Sequence, residues 1–161
     1  MNSASGNTAS NSFEKPGAHE PILSLTTCRQ MLPLVQRIVH DIIDARCRLN
    51  SLEAELATLD RQKRTLNWPS RYRRYELQET VREHQHSLQD GLAELEMLGV
   101  AIFDDLRGLV GFPTQVNGRR AYFSWKSGEL ELRCWHFAGD AVRRQIPASW
   151  KEELRNTAVK S

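Results

Sequence analysis

The sequence predicts an α+β fold: a long antiparallel helical hairpin, coiled-coil-like, packed at one end against a small three-stranded antiparallel sheet. The first observation behind this is a stripe of apolar residues at alternating three- and four-residue spacing along the first half of the chain. The second is a pair of punctuation points, Trp68-Pro69 and Gly99, that divide the helical pattern into two rods. The third is a switch to period two after Ile102, together with the turn signals Asn117-Gly118 and Ser127-Gly128.

The first helix is expected from Thr26 to Leu66. Its stripe is Val35, Ile38, Ile42, Ala45, Leu49, Leu52, Leu56, Leu59 and Leu66, broken at Lys63. Arg37, Asp41, Asp44, Arg48, Glu53, Glu55 and Asp60 lie off the stripe. At 1.5 Å per residue the rod is roughly 60 Å long. Thr26 or Thr27 can cap its start by accepting from a free backbone N–H. Pro33 falls early enough for its missing donor to be tolerated. Asn67-Trp68-Pro69-Ser70 is expected to stop this helix.

A second helix, about Ser70 to Leu98, carries Leu77, Val81, Leu88, Leu92, Leu95 and Leu98, and Gly99 ends it. Folding it back brings Leu59 to Leu77, Leu56 to Val81, Leu49 to Leu88, Ala45 to Gly91 and Ile42 to Leu95, with His84 facing Leu52.

Taking Asn117-Gly118 as a two-residue turn pairs Val110 with Trp125, Phe112 with Phe123 and Thr114 with Ala121. Taking Ser127-Gly128 the same way pairs Trp125 with Leu130, Phe123 with Leu132 and Ala121 with Cys134. Ala121, Phe123 and Trp125 then share the core face, joined by Cys134 and His136. Pro113, Arg120, Tyr122, Ser124, Glu131, Arg133 and Trp135 share the outer one. The capping-box spacing of Ser149 and Glu152 suggests a short final helix. The chain thus divides into a disordered tail (1–24), the hairpin-plus-sheet domain (25–147) and a C-terminal helix or tail (148–161), the first of these being poor in large apolar residues.

Strands of about six residues span only ~20 Å, so the sheet covers roughly one third of the hairpin, at the end holding Val35 and Leu95. The part running from Leu49 through the Trp68 tip to Leu88 is left as two helices. A second hairpin is expected to complete it as a homodimeric four-helix bundle.

Among 161 residues the formal net charge is only +2, which indicates neither nucleic acid nor membrane as a global partner. No apolar run approaches the ~18 residues of a membrane span, and the start lacks a signal-peptide layout. The three cysteines, Cys28, Cys47 and Cys134, are widely spaced and odd in number, so a reducing cytoplasm is expected rather than a disulfide framework.

By its strand region the sequence resembles a bacterial family, the domain-of-unknown-function 2203 proteins. The matching pieces are Leu25-Thr26 and Met31-Leu32-Pro33-Leu34-Val35, then Leu98-Gly99-Val100 and Gly108-Leu109-Val110-Gly111-Phe112-Pro113. They continue as Asn117-Gly118-Arg119-Arg120, Trp125-Lys126-Ser127-Gly128-Glu129 and Trp135-His136. The resemblance implies a bacterial origin and a helical-plus-strand domain, with no assigned activity. The family usually carries an aspartate where this chain has Gly111 and a glutamate where it has Phe137, so the resemblance implies no acidic pair here.

Two surfaces are candidates for function. The hairpin tip gathers Arg61, Lys63, Arg64, Arg71, Arg73 and Arg74 with Trp68 and Tyr72, and no acidic residue falls between Arg61 and Tyr75. Such a tip suits phosphates and stacked bases, or an acidic protein surface; the bland alternative is a solvated turn whose aromatics cap the seam. The outer sheet face offers Arg120, Tyr122, Arg133 and Trp135, with His136 beside it, a composition common to interface hot spots and to plain sheet stabilisation. Cys134-x-His136 has no partner pair, and His84-x-His86 points to two sides of its helix, so neither a metal nor a cofactor is expected. No nucleophile elbow or phosphate-binding loop is present. The leading expectation is a non-enzymatic, homo-oligomeric interaction or scaffold module with an unidentified protein partner. The alternatives are a nucleic-acid-associated protein using the tip, and a small-ligand binder or hydrolase at the Trp/His end of the sheet.

Overall fold

The computed structural model describes residues 20–150, so the first 19 residues and the end of the expected C-terminal helix lie outside the described residues. Helix α1 runs Leu25–Arg61. Its N-cap is Ser24 rather than either threonine, with the Ser24 hydroxyl accepting from Thr27 N at 3.2 Å. Starting there places Leu25 in the first turn, where it is buried.

The helix ends earlier than expected. Gln62 N bonds Leu59 O and Thr65 N bonds Gln62 O, so the chain is already turning when it reaches Lys63. Asn67 then caps α2, Trp68–Met97, by accepting from Ser70 N at 3.0 Å. Pro69 therefore opens the second helix, where its lack of an N–H costs nothing, instead of closing the first. At the far end Val100 N reaches Leu95 O and Gly99 N reaches Glu96 O, each at 3.0 Å. This paired closure needs a left-handed residue, and Gly99 supplies it with φ +74°.

The chain leaves that turn directly into a meander of five antiparallel strands in sequence order, two more than expected. They are β1 (Ala101–Asp104), β2 (Leu109–Val116), β3 (Arg119–Lys126), β4 (Cys134–Phe137) and β5 (Arg144–Gln145). The two additional strands sit at the edges: β1 is four residues long and irregular, and β5 has two. Neither is long enough to show alternation in sequence.

Asn117 and Gly118 both have positive φ, 52° and 74°, and the β2–β3 register is the expected one, with Val110 opposite Trp125, Phe112 opposite Phe123 and Thr114 opposite Ala121. The next pairing differs. Ala121 faces Phe137 and Phe123 faces Trp135, a slip of three residues from the register that a two-residue Ser127-Gly128 turn would impose. An odd slip exchanges the faces, so Trp135 turns into the core and His136 turns out. The cause lies in residues 129–133. Trp125 Nε1 donates to Glu129 O at 2.9 Å, and Arg143 forks onto the Glu129 carboxylate at 2.7 and 2.9 Å. These bonds hold a loop out of the ladder, in which Leu132 plugs the core while Leu130 is exposed.

The core runs along α1 from Leu25 to Leu49, under the inner sheet face of Val110, Phe112, Ala121, Phe123, Trp125 and Trp135. Farther out, α2 keeps Leu77 and Val81 buried, but Leu52, Leu56 and Leu59 of α1 are only half-buried. The forked pair Arg73–Glu55 and the bond from Arg74 to Asp60 tie the helices together there. Leu49 is 1% exposed at the end of the covered stretch. Leu49→Ala is therefore expected to cost about 2–5 kcal/mol, read as a lower urea midpoint at unchanged slope. A loss below about 1 kcal/mol would place the end of the core nearer to Val35.

Candidate functional site

At the tip, Trp68 and Tyr72 lie one turn apart on α2 and stack with ring centres 5.7 Å apart and planes 5° from parallel. Trp68 is 73% exposed, and Tyr72 and Tyr75 are also exposed. The seam is closed instead by Leu66, which is buried, so the aromatics do not cap it. The positive charge is smaller than the sequence count suggests. Arg73 grips Glu55 at 2.9 and 3.2 Å, Arg74 bonds Asp60, and Arg61 donates to the Thr58 hydroxyl at 3.3 Å. The forked bond from Arg73 holds the Glu55 carboxyl below its usual range. Among the described residues, Arg61, Lys63, Arg64 and Arg71 have no acidic partner within 4.0 Å, Arg61 meeting only the neutral Thr58 hydroxyl, and these four carry the open charge of the tip.

The outer sheet face is sealed rather than open. Phe103 of β1 lies over Gly111, where a Cβ would come within 2.5 Å of its ring, so only glycine admits this approach. The Phe103 ring meets Tyr122 edge-on at 5.2 Å and His136 at 5.3 Å. Tyr122 Oη donates to Glu20 at 3.2 Å, and Glu20 also pairs with Arg120. Leu23 N, close by in the same segment, bonds Pro113 O. On the other side Arg143 donates to the Ser124 hydroxyl at 2.9 Å and to the Ser124 carbonyl at 3.0 Å while forking onto Glu129. Burial opposes ionisation of Glu129, but the bonds from Arg143 and Lys126 N outweigh it and leave its carboxyl below the usual range.

The structure thus redistributes the residues singled out on the sheet. Arg120, Tyr122 and His136 share the outer face. Trp135 packs inward against Phe137, with ring centres 4.9 Å apart, and against Trp150 at 5.2 Å, while Arg144 lies over its ring. Arg133 lies outside the strands, exposed and paired with Glu131 at 3.1 Å. Gly111 and Phe137 fall on opposite faces, since Gly111 pairs with Ser124 and Phe137 with Ala121. Residues that sequence reasoning missed here are Glu20, Phe103 and Arg143. Arg143 acts 19 positions from Ser124, in a stretch with no periodicity to flag it.

His136 is 6% exposed, and its Nδ1 has no hydrogen-bond partner. Burial, and then the charge of Arg143, push its pKa down, with Asp140 opposing. Among the described residues no group of three or more His, Cys, Asp or Glu gathers in a geometry that could hold a metal ion. No described helix is long and apolar enough to cross a membrane. What the chain presents is surfaces: a basic, aromatic tip and, between α1 and α2, a groove of about 420 Å³ with acidic walls.

A helical hairpin seated at one end on an antiparallel meander defines an α+β hairpin protein. The chain belongs to the family described as "Uncharacterized conserved protein (DUF2203)", whose profile matches residues 22–146. No curated protein and no solved structure matches it.

An unpartnered buried ring nitrogen costs about 1–3 kcal/mol. His136→Phe keeps a ring in place and is therefore expected to leave stability unchanged or raise it by about 1 kcal/mol at pH 7. Because the folded pKa of His136 lies below the ordinary 6.5, its neutral form stabilises the fold above that value, and this is lost as pH falls through the folded pKa. Urea midpoints taken from pH 8 to pH 5 are expected to fall more for the wild type than for His136→Phe. Parallel curves would show that the imidazole titrates as it does in the unfolded chain.

Proposed function

We propose that this chain is a non-enzymatic interaction module that works as a homodimer in the bacterial cytoplasm, the distal part of its hairpin being completed by a second copy. The supporting observation is the change along the α1 stripe: Val35, Ile38 and Ile42 are at most 6% exposed, whereas Leu52, Leu56 and Leu59 are half-buried. Full burial of a leucine is worth about 1.5–3 kcal/mol, and covering the part that these three leave exposed in one line contributes a fraction of that towards association. Light-scattering chromatography at micromolar concentration is expected to give twice the chain mass, and Leu56→Asp is expected to give the single mass with unchanged circular dichroism. A wild-type monomer would sink the reading.

A second reading is favoured by the Trp68–Tyr72 stack beside Lys63, Arg64 and Arg71, because aromatic platforms with open cations suit single-stranded nucleic acid. Oligonucleotide affinity is then expected to fall steeply between 50 mM and 200 mM salt, and to drop further in Arg71→Glu. Undetectable binding at low salt, or a flat salt profile, would remove it. Ligand binding or hydrolysis at the Trp/His end has no comparable support, since Trp135 and His136 face opposite sides of the sheet.

A further inference from the structure

We infer that the second copy lies antiparallel to the first, so that the basic tip of each hairpin docks in the acidic groove between α1 and α2 of the other. This rests on the homodimer reading above and adds its geometry.

The groove is walled by Asp41, Asp44, Asp90 and Glu94, and floored by Ala45 and Gly91, the two smallest residues of the seam. No residue of the sheet lines it. Asp41 and Glu94 have no cationic partner among the described residues; Asp44 meets only the exposed Arg48 of its own helix, and Asp90 only His86 at 3.6 Å. Gly91 sits so close to α1 that a Cβ would come within 2.8 Å of Ile42. The helices are therefore tightly apposed at the floor, and the space available there opens outward.

The open cations Lys63, Arg64 and Arg71 lie about twenty residues away, which is roughly 30 Å along the helices. Within one chain the two sets cannot meet. Reversing a second copy end for end matches tip to groove twice, by the symmetry of a two-fold dimer. A parallel pairing would set arginine against arginine.

The apolar stripe asks for the same register. The point midway between the groove and the tip falls near Leu52 and Leu56 on α1 and near Val81 on α2. The antiparallel overlay therefore brings the half-buried leucines of the two copies together at the dyad. It also lays the exposed Trp68–Tyr72 stack over the small-residue floor. Charge and hydrophobic exposure are separate features of the molecule, and one arrangement satisfies both.

The test uses two full-length variants: Asp41→Arg, Asp44→Arg, Asp90→Arg and Glu94→Arg together in the groove, and Lys63→Glu with Arg64→Glu and Arg71→Glu at the tip. All seven side chains are exposed, so both variants are expected to keep wild-type circular dichroism; if either unfolds, Asp41→Asn with Glu94→Gln and Arg64→Gln with Arg71→Gln replace them. Each charge-reversed variant alone carries like charges at both ends and is expected to self-associate about tenfold or more weakly. Mixed together, they restore opposite charges at both contacts and are expected to return to the dimer mass in light scattering. Wild-type dimers with variants that remain dimeric, or with a mixture that stays monomeric, would overturn the antiparallel pairing and leave the homodimer intact. A wild-type monomer would overturn both.

Discussion

Because α1 continues unbroken for 37 residues and α2 for 30, their shared seam fixes a line along which every later element has to find its place. The Leu95–Val100 closure drops the chain at one end of that line, and the meander is built there because β1 follows with no intervening residues to carry it elsewhere. Arg46 bonding Asp105 at 3.0 Å then pins the β1–β2 turn to the side of α1. Strand length does the rest. Eight-residue strands cannot reach the tip of the hairpin, so one chain contains a three-layered end and a two-helix end.

The layered end is closed on both sides. Inside, aromatic residues from three strands pack on α1; outside, Phe103, Tyr122 and the Arg143–Glu129 fork cover what would otherwise be a wet sheet face. Most polar groups in that outer layer answer one another, so its tyrosine, serine and arginines are largely committed within the fold. The two-helix end has the opposite character. Its ion pairs lie at the surface, where each contributes little, and its uncommitted groups are the ones that face outward.

Much of this was legible in the sequence, because seam and turn are local. The stripe from Val35 to Leu59 shows its helical period within any short window, and Asn117-Gly118 announces positive φ by residue type alone. The β3–β4 register was not legible, since it depends on Trp125 and Arg143 reaching a carboxylate and a carbonyl in a loop whose own residues look like an ordinary short turn. That one slip carried Trp135 and His136 to faces opposite from those expected. The tip was misjudged for a related reason. Arg73 and Arg74 read as open charges until the returning helix brings Glu55 and Asp60 beside them, 18 and 14 positions back in the chain.

The two short outer strands have a consequence for solubility. A sheet edge with a long run of free amides and carbonyls templates the addition of a foreign strand. Here one edge is β1, four residues with a register break between Ile102 and Asp104, and the other is β5, two residues flanked by Arg143. Neither gives an incoming chain enough consecutive backbone to zip onto. Strand addition, the common route to aggregation for a small antiparallel sheet, is blunted at both margins.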